Sequence, residues 1–307
     1  MSGPKEPVWG RYSGMTIVVA DIGATSLRVG EFSEATGEIK NILLEPSRDC
    51  ADELIEQLVG AIMATKSTPE MIGVGYNGVV DSGRVWNFVR GEIDLKGALE
   101  EIFEDARVVV LNDAHAGAYD ATRRGENPST LVVTLGTAMG RAIIINNKVV
   151  TTSGAGEVYH RGQCSCGSWG CLSSAPAGRA LGRHVSMLTS ERNIKLGRGP
   201  VKISPQGALE GRRAGDEMAL RGWGEWARAV TELVVSGALM IGATRIVVCG
   251  GFAQWVYDDI RPIVVAEAQK QFVEYNALKM PSIELAPNTS EAGLRGAGVA
   301  LVYSQTS

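Results

Sequence analysis

The chain uses one local device twice. Thr16-Ile17-Val18-Val19-Ala20 is a β-branched run that stops at Asp21, turns through Ile22-Gly23-Ala24-Thr25, and returns as Leu27-Arg28-Val29-Gly30-Glu31-Phe32. Thr130 to Leu135 repeats the plan, with a turn at Gly136-Thr137-Ala138-Met139-Gly140 and a return at Ala142 to Ile145. Apolar and polar residues alternating with a period of two mark half-buried strands. Two such units predict a duplicated architecture, with one hairpin in each half.

Between and after the hairpins, strands alternate with helices. Leu54, Ile55, Leu58 and Ile62 recur at helical spacing within a stretch from Cys50 to Ala64, which places them on one face. Met71 to Tyr76 reads as a strand ending in Asn77-Gly78, Leu95 to Phe103 as a short helix, and Val108 to Leu111 as a buried strand halting at Asn112-Asp113. A helix from Ala114 to Arg124 follows. Further on come a long helical stretch from Glu217 to Met240, a strand from Thr244 to Cys249 ending in Gly250-Gly251, and a Gly/Ala-rich helix from Ser290 to Leu301. Such alternation predicts α/β layers.

Composition narrows the function classes. The 307 residues are 45% hydrophobic and 21% charged, enough for a sizeable core, and the net charge of −4 gives no field that favours nucleic acid or an anionic membrane. No apolar run approaches the roughly 18 residues that span a bilayer. The polar start, Met1 to Gly14, lacks the apolar core of a signal peptide. A cytoplasmic address is the expectation by default. Glycine, at 38 residues, exceeds its usual share of about 7%, which suits tight turns and backbone passing close to ligands.

Three turns follow apolar strands: that after Asp21, that at Gly136-Thr137, and Gly250-Gly251. Glycine lets backbone N–H groups approach phosphate oxygens, and the hydroxyls of Thr25 and Thr137 add donors. Taken singly, each turn also reads as a hairpin needing positive φ. Asp21 at a strand end suits a water of nucleotide-bound Mg²⁺, an ion that keeps several waters. Asp113, at the carboxyl end of another strand, sits where open α/β sheets bind ligands and suits a general base for phosphoryl transfer to an alcohol, with Asn112 orienting the same substrate. Either residue also reads as the N-cap of the helix that follows.

Of five cysteines, Cys164, Cys166 and Cys171 crowd together with His160, a donor set typical of a closed tetrahedral zinc site. Cys50 and Cys249 stand in apolar surroundings and read as inert core thiols. A zinc-pinned loop would hold Glu157, beside Gly154 and Gly156, as an acceptor for sugar hydroxyls; the other reading of Glu157 is a solvent-facing loop residue.

These residues resemble the ROK family of repressors and sugar kinases, within the actin/hexokinase-like superfamily. Asp21-Ile22-Gly23-Ala24-Thr25-Ser26 is similar to the family's Asp-x-Gly-Gly-Thr-Lys, and Asn77-Gly78-Val79-Val80-Asp81 to its Pro-Gly-Pro-Val-Asp. The pair Asn112-Asp113, the turn Leu135-Gly136-Thr137, Gly156-Glu157-Val158-Tyr159-His160, and the full Cys-x-Cys-Gly-x-x-Gly-Cys from Cys164 to Cys171 continue the match. Arg213 to Asp216 and Val247 to Phe252 resemble the family's adenosine side.

The resemblance implies a two-domain, ribonuclease H-like α/β fold with a zinc-binding loop. The expected small domain is 15–111 plus 290–307, the larger one 112–289, with nucleotide and substrate in the cleft between them. It implies ATP-dependent phosphorylation of a hexose, amino sugar or polyol, with Asp113 as base. Gly78, Asn87, Asn112, Glu157 and His160 would contact the substrate. Asp21, Gly23, Thr25, Gly136, Thr137, Gly250 and Gly251 would hold Mg²⁺-ATP. His160, Cys164, Cys166 and Cys171 would hold a structural Zn²⁺. A homodimer is implied too.

The departures bear on substrate. Ser173 stands where the family carries a sugar-binding Glu, Arg90 where it often has a sugar-binding Asn, Ser26 in place of the Lys and Ala24 of the second Gly. Loss of a carboxylate and gain of a cation point to a substrate other than plain glucose. The rival reading is a non-catalytic sugar sensor. A repressor of the family needs a helix-turn-helix, for which the roughly twenty residues before Asp21 are too few.

Overall fold

In a computed structural model, the described residues are 12, 14–65, 68–87, 89–124, 127–150, 158–163, 169–171 and 178–303, with backbone alone at 158–163 and 169–171. The chain divides into two compact units, Met1–Pro128 with Arg141–Gly154 and Ala286–Ser307, and Ser129–Gly140 with Ala155–Leu285.

The first unit is built on a five-stranded sheet of β1 (Ile17–Ile22), β2 (Ser26–Phe32), β3 (Ile39–Pro46), β4 (Met71–Tyr76) and, further along, β8 (Arg107–Asn112), in the order β3-β2-β1-β4-β8. The hairpin β1–β2 is antiparallel, as is β2–β3, whereas β1, β4 and β8 run parallel. The connections are α1 (Ala51–Ala64), a small antiparallel sheet of β5 (Val79–Asp81), β6 (Arg84–Asn87) and β7 (Gly91–Ile93), and α2 (Leu95–Ile102).

β4 is buried at every residue, as expected of a central strand covered on both faces. The period of two sorts β1 accordingly. Val18, Ala20 and Ile22 pack with Leu54, Leu58 and Ile62 of α1 and with Leu95 and Leu99 of α2. Ile17 and Val19 pack on the other side with Ala116 of α3 (Asp113–Thr122) and with Leu294, Ala297 and Leu301 of a C-terminal helix, Ala292–Tyr303. A buried bidentate pair ties these two helices together, Arg295 Nε to Asp120 Oδ1 at 2.9 Å and Nη2 to Oδ2 at 3.1 Å.

The second five-stranded sheet comprises β9 (Ser129–Leu135), β10 (Met139–Ile145), β11 (Lys148–Val150), β14 (Arg245–Cys249) and β15 (Ser282–Leu285), in the order β11-β10-β9-β14-β15. β9, β14 and β15 are parallel. Its second strand begins at Met139, so the strand takes in the end of the expected turn. Between β11 and β14 lie the paired strands β12 (Val158–Gln163) and β13 (Trp169–Cys171), and the helices α4 (Gly178–Lys195), α5 (Pro205–Arg213) and α6 (Glu217–Met240). α7 (Ala253–Ala268) follows β14, and the C-terminal helix is α8.

The core of this unit surrounds Trp226, a fully buried residue edge-on to Phe252 at 5.8 Å. Among the described residues no helix is long and apolar enough to cross a membrane.

One reading is corrected. Cys249 is buried in β14, but Cys50 is exposed, because it precedes the first turn of α1 rather than lying on its apolar face. Among the described residues the small β5–β6–β7 sheet was also unforeseen, its strands being only three or four residues long.

Candidate active site

Parallel register assembles the site of the first unit. Ile22 pairs with Tyr76, and Tyr76 with Asn112, so three adjacent strands finish level with one another. Asp21, Asn77 and Asp113 are thereby brought to one edge of the sheet.

The N-cap question is settled by geometry. Asn112 has extended backbone (φ −64°, ψ 147°), and its Oδ1 accepts from the Ala114 N–H at 2.9 Å. Its Nδ2 donates to the Gly78 carbonyl at 2.8 Å, tying the helix start to the loop after β4. Asn112 is therefore the cap, and Asp113 is the first residue of the helix.

The Asp113 carboxylate accepts from the Ala114 N–H through Oδ1 at 2.9 Å and from Asn77 Nδ2 through Oδ2 at 3.2 Å. Burial, and then the nearby Asp21, push its pKa up to about 6, while the Asn77 and backbone donors pull the other way. Asp21 is likewise raised by burial and partly restored by Arg28, whose Nη1 lies 3.7 Å from Asp21 Oδ2. Arg28 is held in turn by the Ser290 carbonyl at 2.5 Å. Beneath Asp21 sits the first turn of α8. A Cβ at Gly293 would lie 2.9 Å from the Asp21 carboxyl carbon, so only glycine leaves room for the acid against this helix terminus.

Gly23 closes the first turn, its N–H donating to the Ser26 carbonyl at 2.8 Å, and Ala24 and Thr25 are exposed. Asn87 is consumed by scaffold. Its Oδ1 accepts from the N–H groups of Val89 and Arg90 at 3.1 and 2.8 Å, and its Nδ2 donates to the Tyr76 hydroxyl at 2.7 Å.

Arg90, expected to offer a cation to the substrate, is instead buried at 7% exposure. It donates to the Arg48 carbonyl and to Ser47 Oγ, each at 2.7 Å, because the short β6–β7 turn carries it under the loop leading to α1. Asn77 and Arg28 were not singled out as site residues. The Asn-Gly pair reads locally as a turn, and Arg28 reads as one polar residue of an alternating strand.

In the second unit, Gly136 and Gly250-Gly251 end the neighbouring parallel strands β9 and β14. Gly136 donates to the Ala138 carbonyl at 2.9 Å to close its turn around Thr137. Gly250 has φ +101°, and a Cβ there would lie 2.5 Å from the Leu135 carbonyl oxygen. The first residue of α4, Gly178, donates to the Gly136 carbonyl at 2.9 Å, and Phe252 at the start of α7 donates to the Leu135 carbonyl at 3.0 Å. Two helix N-termini thus adjoin these turns, an arrangement suited to anions.

Beside them α5 and α7 enclose an open groove of about 610 Å³, lined by Gln206, Glu210 and Arg213 on one side and Gln254, Trp255 and Asp258 on the other. Its size suits a nucleoside. Trp255 is 40% exposed in it, and Arg212, paired with Asp259 at 2.9 Å, stacks over Trp223 at 4.1 Å behind the wall.

Glu157, Cys164, Cys166 and Ser173 lie outside the described residues. His160 belongs to β12 and Cys171 to β13, with Val158 paired opposite Cys171.

A profile of the ROK family matches residues 17–304. The chain is 28% identical to a glucokinase of Streptomyces coelicolor, over 92% of this chain and 96% of that protein. It is 27% identical to an N-acetylmannosamine kinase of Escherichia coli, over 77% of this chain and 83% of that protein. Among solved structures, a ROK family glucokinase from Streptomyces griseus in complex with glucose and AMPPNP is 26% identical. It superposes with a TM-score of 0.75, covering 92% of this chain and 97% of that one.

Proposed function

We propose that this chain, which belongs to the ROK family, transfers the terminal phosphoryl group of ATP to a hydroxyl of a sugar, with Asp113 as the general base. The observation that carries the reading is the division of labour at the start of α3. Asn112 caps the helix and ties it to Gly78, so the helix start does not depend on Asp113, which shares the Ala114 N–H but stays half-buried with its pKa near 6. A base of that strength is mostly ionised at neutral pH yet still accepts a proton readily.

The step balances simply. Asp113 accepts the proton of the substrate hydroxyl, that oxygen bonds to the γ-phosphorus, the bond from the γ-phosphorus to its bridging oxygen breaks, and ADP leaves with the electron pair. Asp21 would accept a hydrogen bond from a water of the nucleotide's Mg²⁺, an ion that neutralises charge on the phosphates when bound. The Thr25 and Thr137 hydroxyls and the Gly251 N–H would supply donors to the phosphates, while Gly23, Gly136 and Gly250 would shape the turns so that backbone can come close to them. The groove between α5 and α7 would take the adenosine, its base against Trp255.

His160, Cys164, Cys166 and Cys171 suit a structural Zn²⁺. The β12–β13 pairing supports this, since it sets Cys171 across from the strand of His160, and the segment joining the strands carries Cys164 and Cys166. Zinc would fix the segment bearing Glu157, and Glu157, His160 and Gly78 would meet sugar hydroxyls. Ser173 in place of a carboxylate favours an amino sugar or polyol over plain glucose. A homodimer and a two-domain arrangement accord with the family.

The test is ATP consumption against glucose, N-acetylmannosamine, other amino sugars, polyols and sugar acids. Turnover stimulated by at least one acceptor is expected. No stimulation by any of them sinks the kinase reading, and glucose as clearly the best acceptor sinks the substrate preference alone.

A further inference from the structure

We infer that Asn77 is a positioning residue for Asp113: its side-chain amide fixes the carboxylate oxygen Oδ2 and so presents the base to the substrate hydroxyl in one orientation. The inference rests on the reading of Asp113 as base and goes beyond it, since Asn77 stands where the resembling motif carries a proline, which has no such donor.

The scaffold duties of Asn77 are met by its backbone. Its N–H donates to the Ile22 carbonyl at 2.9 Å, continuing the β1–β4 ladder, and its carbonyl accepts from Asn87 Nδ2 at 3.4 Å. The side chain is left over from this framework, and among the described residues its amide bonds Asp113 at 3.2 Å. The contact spans 36 residues of sequence and exists because β4 and β8 are in register through Tyr76 and Asn112. With Oδ1 held by the Ala114 N–H, the second donor stops rotation of the carboxylate and leaves one lone pair on each oxygen for chemistry.

An amide donor also favours the ionised form over the neutral one. It opposes burial and Asp21, which is the neighbouring acid on β1 and is itself paired with Arg28 on β2. The other elements against α3 bring few charges near. β4 ends in Tyr76, Arg107 lies at the far end of β8, and Lys148 is exposed on β11. On α8, Arg295 pairs with Asp120, two turns further along α3, and with Glu291.

The experiment measures Asp113 itself and then its work. The carboxyl-carbon NMR signal of Asp113, assigned by its absence in Asp113→Asn, is titrated in the unliganded full chain. Asn77→Ala should raise the midpoint by about one pH unit, the scale of a hydrogen bond to a charged group. With Mg²⁺-ATP and the best acceptor of the sugar panel, kcat should fall about tenfold at pH 7, the acid limb should move up with the midpoint, and the sugar KM should hold within about twofold. Asn77→Ser, which keeps a donor, should recover part of the loss. An unchanged midpoint with unchanged kcat overturns the inference, as does a raised KM with kcat intact.

Should Asn77→Ala fail to fold, the isosteric Asn77→Asp decides the matter. A like charge in the donor's place should raise the midpoint further, and no movement overturns the inference. The failures are separable. Wild-type turnover in Asp113→Asn removes the base, whereas an inactive Asp113→Asn beside a wild-type Asn77→Ala removes only the role of Asn77.

Discussion

At the ends of β1 and β8 the first unit gathers two carboxylates, Asp21 and Asp113, whereas the ends of β9 and β14 in the second gather glycines and helix N-termini. The local plan is similar in both, a parallel strand running into a tight turn. The chemistry is opposite. One turn lies beside acids held above their ordinary pKa, and the other is built of glycine backbone beside the N-terminal ends of α4 and α7. On the function proposed above, the two ends would divide the work, one moving a proton and the other holding an anion.

The sharpest way to break that comparison is Asp113→Asn. It keeps shape and one of the two hydrogen bonds that the carboxylate accepts but removes the proton acceptor, so kcat should fall about 10²–10⁴-fold with the ATP KM little changed. The same substitution should stabilise the fold at pH 7. Asp113 is raised from 3.8 to about 6, so between those pH values the folded chain binds more protons than the unfolded chain. Stability from this group is therefore present at low pH and lost as pH rises through about 6, by up to about 3 kcal/mol. Asparagine cannot ionise and should escape that loss. Steady-state kinetics paired with urea unfolding at pH 4.5 and 7 (assay conditions of about that value) checks both signs. An Asp113→Asn chain that is inactive but no more stable at the higher pH would contradict the burial account.

Gly250→Ala probes the other half. Its φ of +101° and the 2.5 Å approach to Leu135 leave no place for a methyl group. The strain is of order 1–3 kcal/mol, and the expected signature is weaker ATP binding and a lower melting temperature, with the pH dependence of kcat unmoved. A shift in the acid limb would mean the halves do not divide the work as described. The smallest effect is expected from Trp255→Ala, which removes a stacking face in the groove between α5 and α7. Stacking of a base on an aromatic ring is worth about 1–3 kcal/mol, so the ATP KM should rise about tenfold with kcat nearly constant. Unchanged ATP affinity would place the adenosine elsewhere.

Much of this was legible in the residues because it is local. A β-branched run that stops at Asp21, at Asn112-Asp113, at Gly136 or at Gly250 announces both the strand and the chemistry of its end. What stayed hidden depends on which strands are neighbours. Asn77 and Asp113 meet only because Tyr76 lies opposite Asn112 in a parallel pair, and nothing near either residue specifies that register. Arg90 shows the converse. A cation in a loop suggested a ligand, but a short strand turns it inward to hold the Ser47-Arg48 loop. Cys50 was misjudged because its near neighbours are charged, Arg48 and Asp49 before it and Asp52 and Glu53 after it, and the buried face of α1 begins only at Leu54.

The floor beneath Asp21 has a history as well as a position. β1 is the first of the described strands, yet Gly293 and the Ser290 carbonyl that holds Arg28 belong to the stretch around α8, the last of the described helices. Docking it closes a very long loop, whose entropy must be overcome before any contact rewards it. The seat of Asp21 therefore depends on residues about 270 positions away in sequence, not on the strand that carries it. Until α8 docks, β1 can pair with its neighbours yet its acid has no seat.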